Sequence, residues 1–150
     1  MNKAGDITTL GRGGSDFTAV ALARALKAEV CELYTDVKGI YTANPTVIPR
    51  AKKIRKISYD AVMGLARAGT EVRQLRAIAY AKKHNIALHL RSSFESEEGT
   101  LVGNFHSGKK PEATCFSIRK TGDTAELRLI GANLRNAGVK KPSNEAVVVN

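Results

Sequence analysis

The hydrophobic positions of this chain change period several times along its length. Residues 6–10 are a short, β-branched run that would form a first strand and ends on Gly11-Arg12-Gly13-Gly14. Residues 17–27, rich in alanine and leucine, predict a helix for which Ser15 or Asp16 can serve as N-cap. Residues 30–37 alternate loosely, as a half-buried strand does, and Lys38-Gly39 breaks them. A loop follows, punctuated by Asn44-Pro45 and Pro49. Ser58 is placed to cap a helix reaching about Ala68, with Met63, Leu65 and Ala66 inside it and Gly69 as its stop. Val72, Leu75, Ile78 and Ala79 recur at helical spacing and predict a second helix over residues 70–83. Residues 86–90 read as a buried strand, and residues 92–99 as a polar, acidic surface loop. The order β-α-β-α-α-β predicts an α/β fold, a sheet covered by helices.

The pattern shifts near Asn104. Residues 106–111 read as a linker, and two strands, residues 114–120 and 124–130, form a hairpin across Thr121-Gly122-Asp123. A short helix is expected over 134–137 and a last strand over 146–149. The chain thus divides into residues 1–104 and a small β-rich tail, 105–150. A tail of that size buries little core alone, so it is expected to pair with something.

Composition narrows the chemistry. Hydrophobic residues make up 43% of the chain, but aromatics only 5% with no tryptophan, so the core is aliphatic. The two cysteines, Cys31 and Cys115, form no CxxC pair, and His84, His89 and His106 lack metal-ligand spacing. No metal site is therefore expected in the protein itself, and reduced cysteines suit the cytosol. No apolar run approaches the ~20 residues of a membrane span, and residues 1–6 have no signal-peptide core, so a soluble, cytoplasmic protein is expected. The formal charge of +10 favours anionic partners. Nucleic acid is the weaker candidate: the densest basic stretch, Arg50 to Lys56, has no aromatic on which a base could stack.

The Gly-rich stretch carries the most chemistry. Glycines at 11, 13 and 14 let the backbone approach a ligand, and the planar fork of Arg12 matches a carboxylate or phosphate. The helix that starts there adds free N–H groups and the positive end of its dipole. The stretch is a poor dinucleotide fingerprint, because the third glycine would fall at Asp16, and it lacks a P-loop lysine. Residues 103–110 nearly spell a P-loop, but Lys110 stands where Ser or Thr is needed and Pro111 follows, so a basic linker is the better reading.

Thr8-Thr9-Leu10-Gly11-Arg12-Gly13-Gly14-Ser15-Asp16 resembles the signature of aspartate kinases in the amino-acid kinase superfamily. Residues 31–45, Ile57-Ser58-Tyr59, Arg91-Ser92-Ser93-Phe94 and Gly99-Thr100 resemble later segments of that family in order and spacing. The resemblance implies the C-terminal portion of a three-layer αβα sandwich. It implies substrate-binding roles for Thr9, Arg12, Gly13, Gly14 and Ser15, with Arg12 gripping a carboxylate of L-aspartate. Asp16 would be catalytic, holding a lysine in place, and Thr35, Asp36, Tyr41 and Val72 would form the nucleotide site. The implied cofactor is ATP with Mg²⁺, and the implied reaction moves the γ-phosphoryl to the β-carboxylate of aspartate. The hairpin also resembles the entry to an ACT regulatory domain.

The sequence departs from the family in several places. Family members carry a Lys-Phe-Gly-Gly-Thr-Ser strand-loop and an acidic group for the substrate ammonium, and neither segment occurs here. Thr46 follows Asn44-Pro45 where the family has arginine. Glu71 replaces a lysine, which reverses a charge near the triphosphate, and Gln74 and Arg76 flank Leu75 in place of a His-Pro pair. The expectation is a chain inactive alone, completed by an N-terminal kinase segment or a full-length subunit in a homo- or hetero-oligomer. The alternative is a non-catalytic, amino-acid-binding or regulatory chain.

Overall fold

A computed structural model describes residues 3–67, 75–105, 112–121, 124–132 and 147–149; past residue 105 the description covers the backbone and the Ile130 side chain. The elements are α1 (Gly14–Ala25), β1 (Val30–Thr35), β2 (Lys56–Ser58), α2 (Tyr59–Arg67), α3 (Leu75–His84), β3 (Ala87–Ser92), β4 (Thr100–Gly103), β5 (Glu112–Thr121), β6 (Thr124–Ala132) and β7 (Val147–Val149).

The first four strands form a mixed sheet in the order β1-β3-β4-β2. β1 and β3 run parallel with Val30 opposite Ala87 and Thr35 opposite Ser92. β3 meets β4 antiparallel, and β4 meets β2 parallel. Alternation decides which face is buried. Cys31 and Leu33 of β1, Leu88 and Leu90 of β3, Val102 of β4 and Ile57 of β2 all enter one core. Val20 and Ala23 of α1, Ala77, Ile78 and Ala81 of α3, and Val62 and Leu65 of α2 fill it from the helices. Val20, Val62, Ile78, Leu88 and Val102 are fully buried, each stabilising the fold by roughly 1.5–3 kcal/mol. The expected α/β sheet with helical cover is what forms, and among the described residues the three helices lie on one face. Glu32, Tyr34, His89 and Arg91 alternate out of that core onto the opposite face. There the Glu32 carboxylate accepts from Arg91 Nη1 at 3.0 Å and from the Tyr34 hydroxyl at 2.9 Å.

Helix starts follow local chemistry. Ser58 caps α2 as expected, its hydroxyl accepting from the Ala61 amide at 3.2 Å. Tyr59, next in sequence, is buried and donates its hydroxyl to the Ile86 carbonyl at 2.6 Å, tying α2 to the segment that enters β3. α3 ends as the pattern predicts, with Asn85 at φ 53 and the Ile86 amide bonded to the Ala81 carbonyl at 3.0 Å.

Some expectations need correction or placement. Residues 6–10 are not a strand: they belong to neither sheet and are exposed, Ile7 at 88%. A β-branched composition forms a strand only beside a partner, and among the described residues β1 pairs with β3 alone. Neither Ser15 nor Asp16 caps α1; the cap is Gly13 at φ 74, with no side-chain bond, and both polar residues lie in the first turn. Two short strands, β2 and β4, were not foreseen, because three or four residues give too little alternation to read. Of the helix predicted over 70–83, residues 70–74 lie outside the described residues, as do Gly69 and the helix expected over 134–137.

The tail forms a three-stranded sheet, β5-β6-β7. β5 and β6 are the expected hairpin, with Thr121 opposite Thr124, and β7 joins β6 in parallel with Leu127 opposite Val147. Ile130 of β6 is buried in the main core, and a Cβ at Gly64 of α2 would stand 3.1 Å from its Cγ2. The partner expected for the tail is therefore α2.

Candidate functional site

The site begins at the turn before α1. Gly11 and Gly13 hold φ of 77° and 74°, a region costly for any residue with a Cβ. The Gly14 amide bonds back to the Gly11 carbonyl at 3.0 Å, closing the turn. Gly14 is buried against Leu10, where a Cβ would come 2.7 Å from the Leu10 Cβ. The glycines thus bring the chain sharply into the helix and leave Arg12 at the apex. Arg12 is exposed and has no hydrogen bond or ion pair among the described residues. Thr9 precedes the turn and is exposed; Ser15 is exposed at the second position of α1.

Asp16 is half-buried in the first turn, where the amides of a helix have no intrahelical acceptors. Burial raises its carboxyl above the ordinary 3.8. It lies close enough to β1 to act on Cys31, whose thiol is pushed up first by burial and then by the Asp16 charge. The Gly-rich turn is steadied from α3: Arg76 Nη1 donates to the Leu10 carbonyl at 3.3 Å, and the same guanidinium lies 5.4 Å from the Phe17 ring centre. Phe17 stacks edge-on to Tyr80 at 5.1 Å, and Tyr80 accepts from Arg24 at 3.0 Å.

The second half of the site lies beyond the carboxyl ends of β1 and β3, where parallel strands of α/β sheets usually receive ligands. Thr35 ends β1, and its hydroxyl accepts from the Val37 amide at 3.1 Å, turning the chain. Asp36 is exposed at that turn. Tyr41 is half-buried and bridges Lys53, which closes a loop between residues 41 and 53. Within it the Asn44 side chain accepts from the Thr46 amide at 2.9 Å, so Thr46 serves an Asx turn and is exposed. Two ion pairs bind this region to the acidic loop after β3. Lys38 meets Glu95 at 2.7 Å and Lys53 meets Glu97 at 2.9 Å. The first pairing raises the Lys38 ammonium, and the second lowers the Glu97 carboxyl.

The structure therefore gathers Gly13, Gly14, Ser15 and Asp16 with Arg12 at one helix start, and Thr35, Asp36 and Tyr41 on the segment that leaves β1. Val72 and Glu71 lie outside the described residues. Arg76 and Thr100 were not singled out from the sequence as supports of these segments. Their partners lie 66, 60 and 46 residues away, and no local pattern signals such a distance.

The model of the amino acid kinase family matches residues 1–92. The aspartokinase of Thermus thermophilus is 54% identical over 127 residues, covering 85% of this chain and 31% of that protein. The aspartokinase of Corynebacterium glutamicum is 43% identical over 127 residues, covering 84% of this chain and 30% of that protein. Among solved structures, E. coli aspartokinase III in complex with aspartate and ADP superposes with a TM-score of 0.66 at 37% identity, over 78% of this chain and 26% of that one. The chain spans about 30% of the length of the curated relatives it matches.

Proposed function

This chain belongs to the amino acid kinase family, and we propose that it carries the aspartate-holding and nucleotide-holding parts of an aspartate kinase site. The reaction is transfer of the γ-phosphoryl of MgATP to the β-carboxylate of L-aspartate. A carboxylate oxygen forms the new bond to phosphorus, and the bond to the β-phosphate oxygen breaks, leaving ADP and an acyl phosphate.

One observation carries the reading: the glycine turn presents an exposed Arg12, without a hydrogen bond or ion pair among the described residues, beside the first turn of α1. An arginine fork binds a carboxylate through two parallel bonds. Thr9, Gly13, Gly14 and Ser15 line the approach. Asp16, whose carboxyl burial raises, carries a charge that a cation beside it would stabilise, which suits a role in holding a lysine. Thr35, Asp36, Tyr41 and Val72 would meet the nucleotide.

Two anions must meet in this reaction, so positioning and charge neutralisation do most of the work. Mg²⁺ keeps several waters and takes one or two carboxylates plus phosphates. The ion would come on the triphosphate and neutralise it there; among the described residues Asp36 is an exposed carboxylate at the nucleotide part of the site.

The same reading divides the chain at residue 104, with residues 105–150 as a linker and an ACT-like or β-hairpin tail. Because relatives are about three times longer, a complementary segment with the Lys-Phe-Gly-Gly motif would complete the phosphate clamp, in a homo- or hetero-oligomer. The test is aspartyl phosphate formation, trapped as the hydroxamate, by the chain alone and after addition of that segment. Turnover only in the mixture supports the reading, and turnover by the chain alone removes the need for the second segment. An inactive mixture whose 150-residue chain binds aspartate but not ATP makes it a regulatory, amino-acid-binding chain.

A further inference from the structure

The loop between residues 41 and 53 has a narrow neck. The Ile54 amide donates to the Ile40 carbonyl at 2.8 Å, and one step further in the Thr42 amide donates to the Lys52 carbonyl at 2.8 Å. Thr100, the first residue of β4, stands at this neck. It is fully buried. Its hydroxyl accepts from the Ile40 amide at 2.8 Å and donates to the Ile54 carbonyl at 2.7 Å. One side chain therefore holds both strands of the neck from a third element.

Neighbouring residues leave room for this contact. Gly39 takes φ 128, and a Cβ there would fall 2.7 Å from the Thr100 hydroxyl. Thr100 is itself fixed by β4, being paired with Leu90 across the sheet, while the next amide, Leu101, bonds the Arg55 carbonyl at 2.8 Å. A buried hydroxyl with both of its roles used is expensive to replace, because its removal leaves a buried amide and a part-buried carbonyl without this partner. The two ion pairs that also hold the loop are exposed and weak by comparison.

We propose that Thr100 is a positioning residue for the nucleotide, clamping the neck so that Tyr41 and the turn after Thr35 keep their places. The nucleotide part of this proposal rests on the reading under Proposed function. The clamp itself stands on the geometry alone. Thr100 does not touch substrate; it acts through the backbone of Ile40 and Ile54.

Thr100→Val keeps the shape and removes the hydroxyl, whereas Thr100→Ser keeps the hydroxyl. Amide hydrogen exchange on the full chain reads the clamp directly. The Ile40 and Ile54 amides should exchange at least tenfold faster in Thr100→Val, with Ile78 and Ala81 in α3 unchanged, and Thr100→Ser should restore protection. Unchanged exchange at Ile40, or equal loss throughout the chain in both variants, overturns the clamp. Titration of the same proteins with MgATP and with aspartate reads its consequence. ATP affinity should fall about tenfold in Thr100→Val and return in Thr100→Ser, with aspartate affinity unmoved. A wild-type chain that takes up no ATP defeats the nucleotide reading while the exchange data still judge the clamp. Equal ATP affinity in wild type and Thr100→Val overturns the positioning role.

Discussion

The Ser93 amide donates to the Thr35 carbonyl at 2.8 Å, one residue beyond the last paired position of β1 and β3. This bond continues the parallel pairing past the strand ends and fixes where the chain leaves both strands. The Thr35 hydroxyl then turns the chain toward Asp36, and the acidic loop after Ser93 reaches back to Lys38 and Lys53. Exposed ion pairs of that kind contribute about 0–1 kcal/mol each. The backbone bond and the buried Thr100 clamp therefore set the geometry, and the ion pairs trim it.

The approach of β4 to β3 depends on Gly99. A Cβ at that position would overlap the Leu90 carbonyl oxygen and crowd the Arg91 Cα. Backbone cannot yield as a flexible side chain can. Gly99→Ala should cost more than about 3 kcal/mol, measured by urea unfolding, and should also loosen the Thr100 clamp.

The tail should be thermodynamically coupled to the rest of the chain. Ile130 of β6 is 5% exposed and belongs to the main core. Ile130→Ala should destabilise the chain by about 2–4 kcal/mol, as for other buried large-to-small changes. A single unfolding transition that moves as one is the expected result; a loss confined to the β5-β6 hairpin would mean that the tail is energetically separate.

Asp16 offers a trade between stability and function. Its carboxyl is raised above 3.8 by burial, so the folded state binds that proton more tightly than the unfolded chain does. Stability from this group is full below 3.8 and falls as pH rises through the raised folded value. At neutral pH the charge is therefore a burden in the absence of a cationic partner. Asp16→Asn should raise the melting temperature by about 1–3 °C, a small shift because the group is partly solvated. The same change should abolish phosphoryl transfer in the completed enzyme.

Glu32 has the opposite sign. The Arg91 bond, then the Tyr34 bond, hold its carboxyl below the ordinary 4.5. Its contribution is present above that value and is lost as pH falls through the lower folded value. Glu32→Gln should lower the melting temperature at pH 7 and flatten the decline on acidification below about pH 4.5. The side chain of Arg91 adds to the cost, because its Nε is already buried without a partner among the described residues.

Much of this fold can be read from local pattern, and its failures are physical. α1, α2, β1, β3 and the hairpin follow from periodicity, the Ser58 cap and the turn residues, which act within a few positions. The strand expected at residues 6–10 failed because strand formation needs a neighbour, and β-branching alone supplies none. Gly13 took the cap from Ser15 and Asp16 because the glycine turn had already set the entry angle of α1. The Gly-rich turn itself was legible from its glycines, of which Gly11 and Gly13 take positive φ. Arg76 and Thr100 were not legible as supports, because each acts on a backbone group more than 40 positions away.

The account rests on Arg12 as the group that receives a small dicarboxylic amino acid. Calorimetric titration of the 150-residue chain and its Arg12→Ala variant with L-aspartate tests this most directly. Loss of a charge-assisted hydrogen bond predicts a fall in affinity of roughly 1.5–3 kcal/mol, about ten- to 150-fold in the dissociation constant. Equal affinity in the two proteins, or no aspartate binding by the unaltered chain, would contradict it.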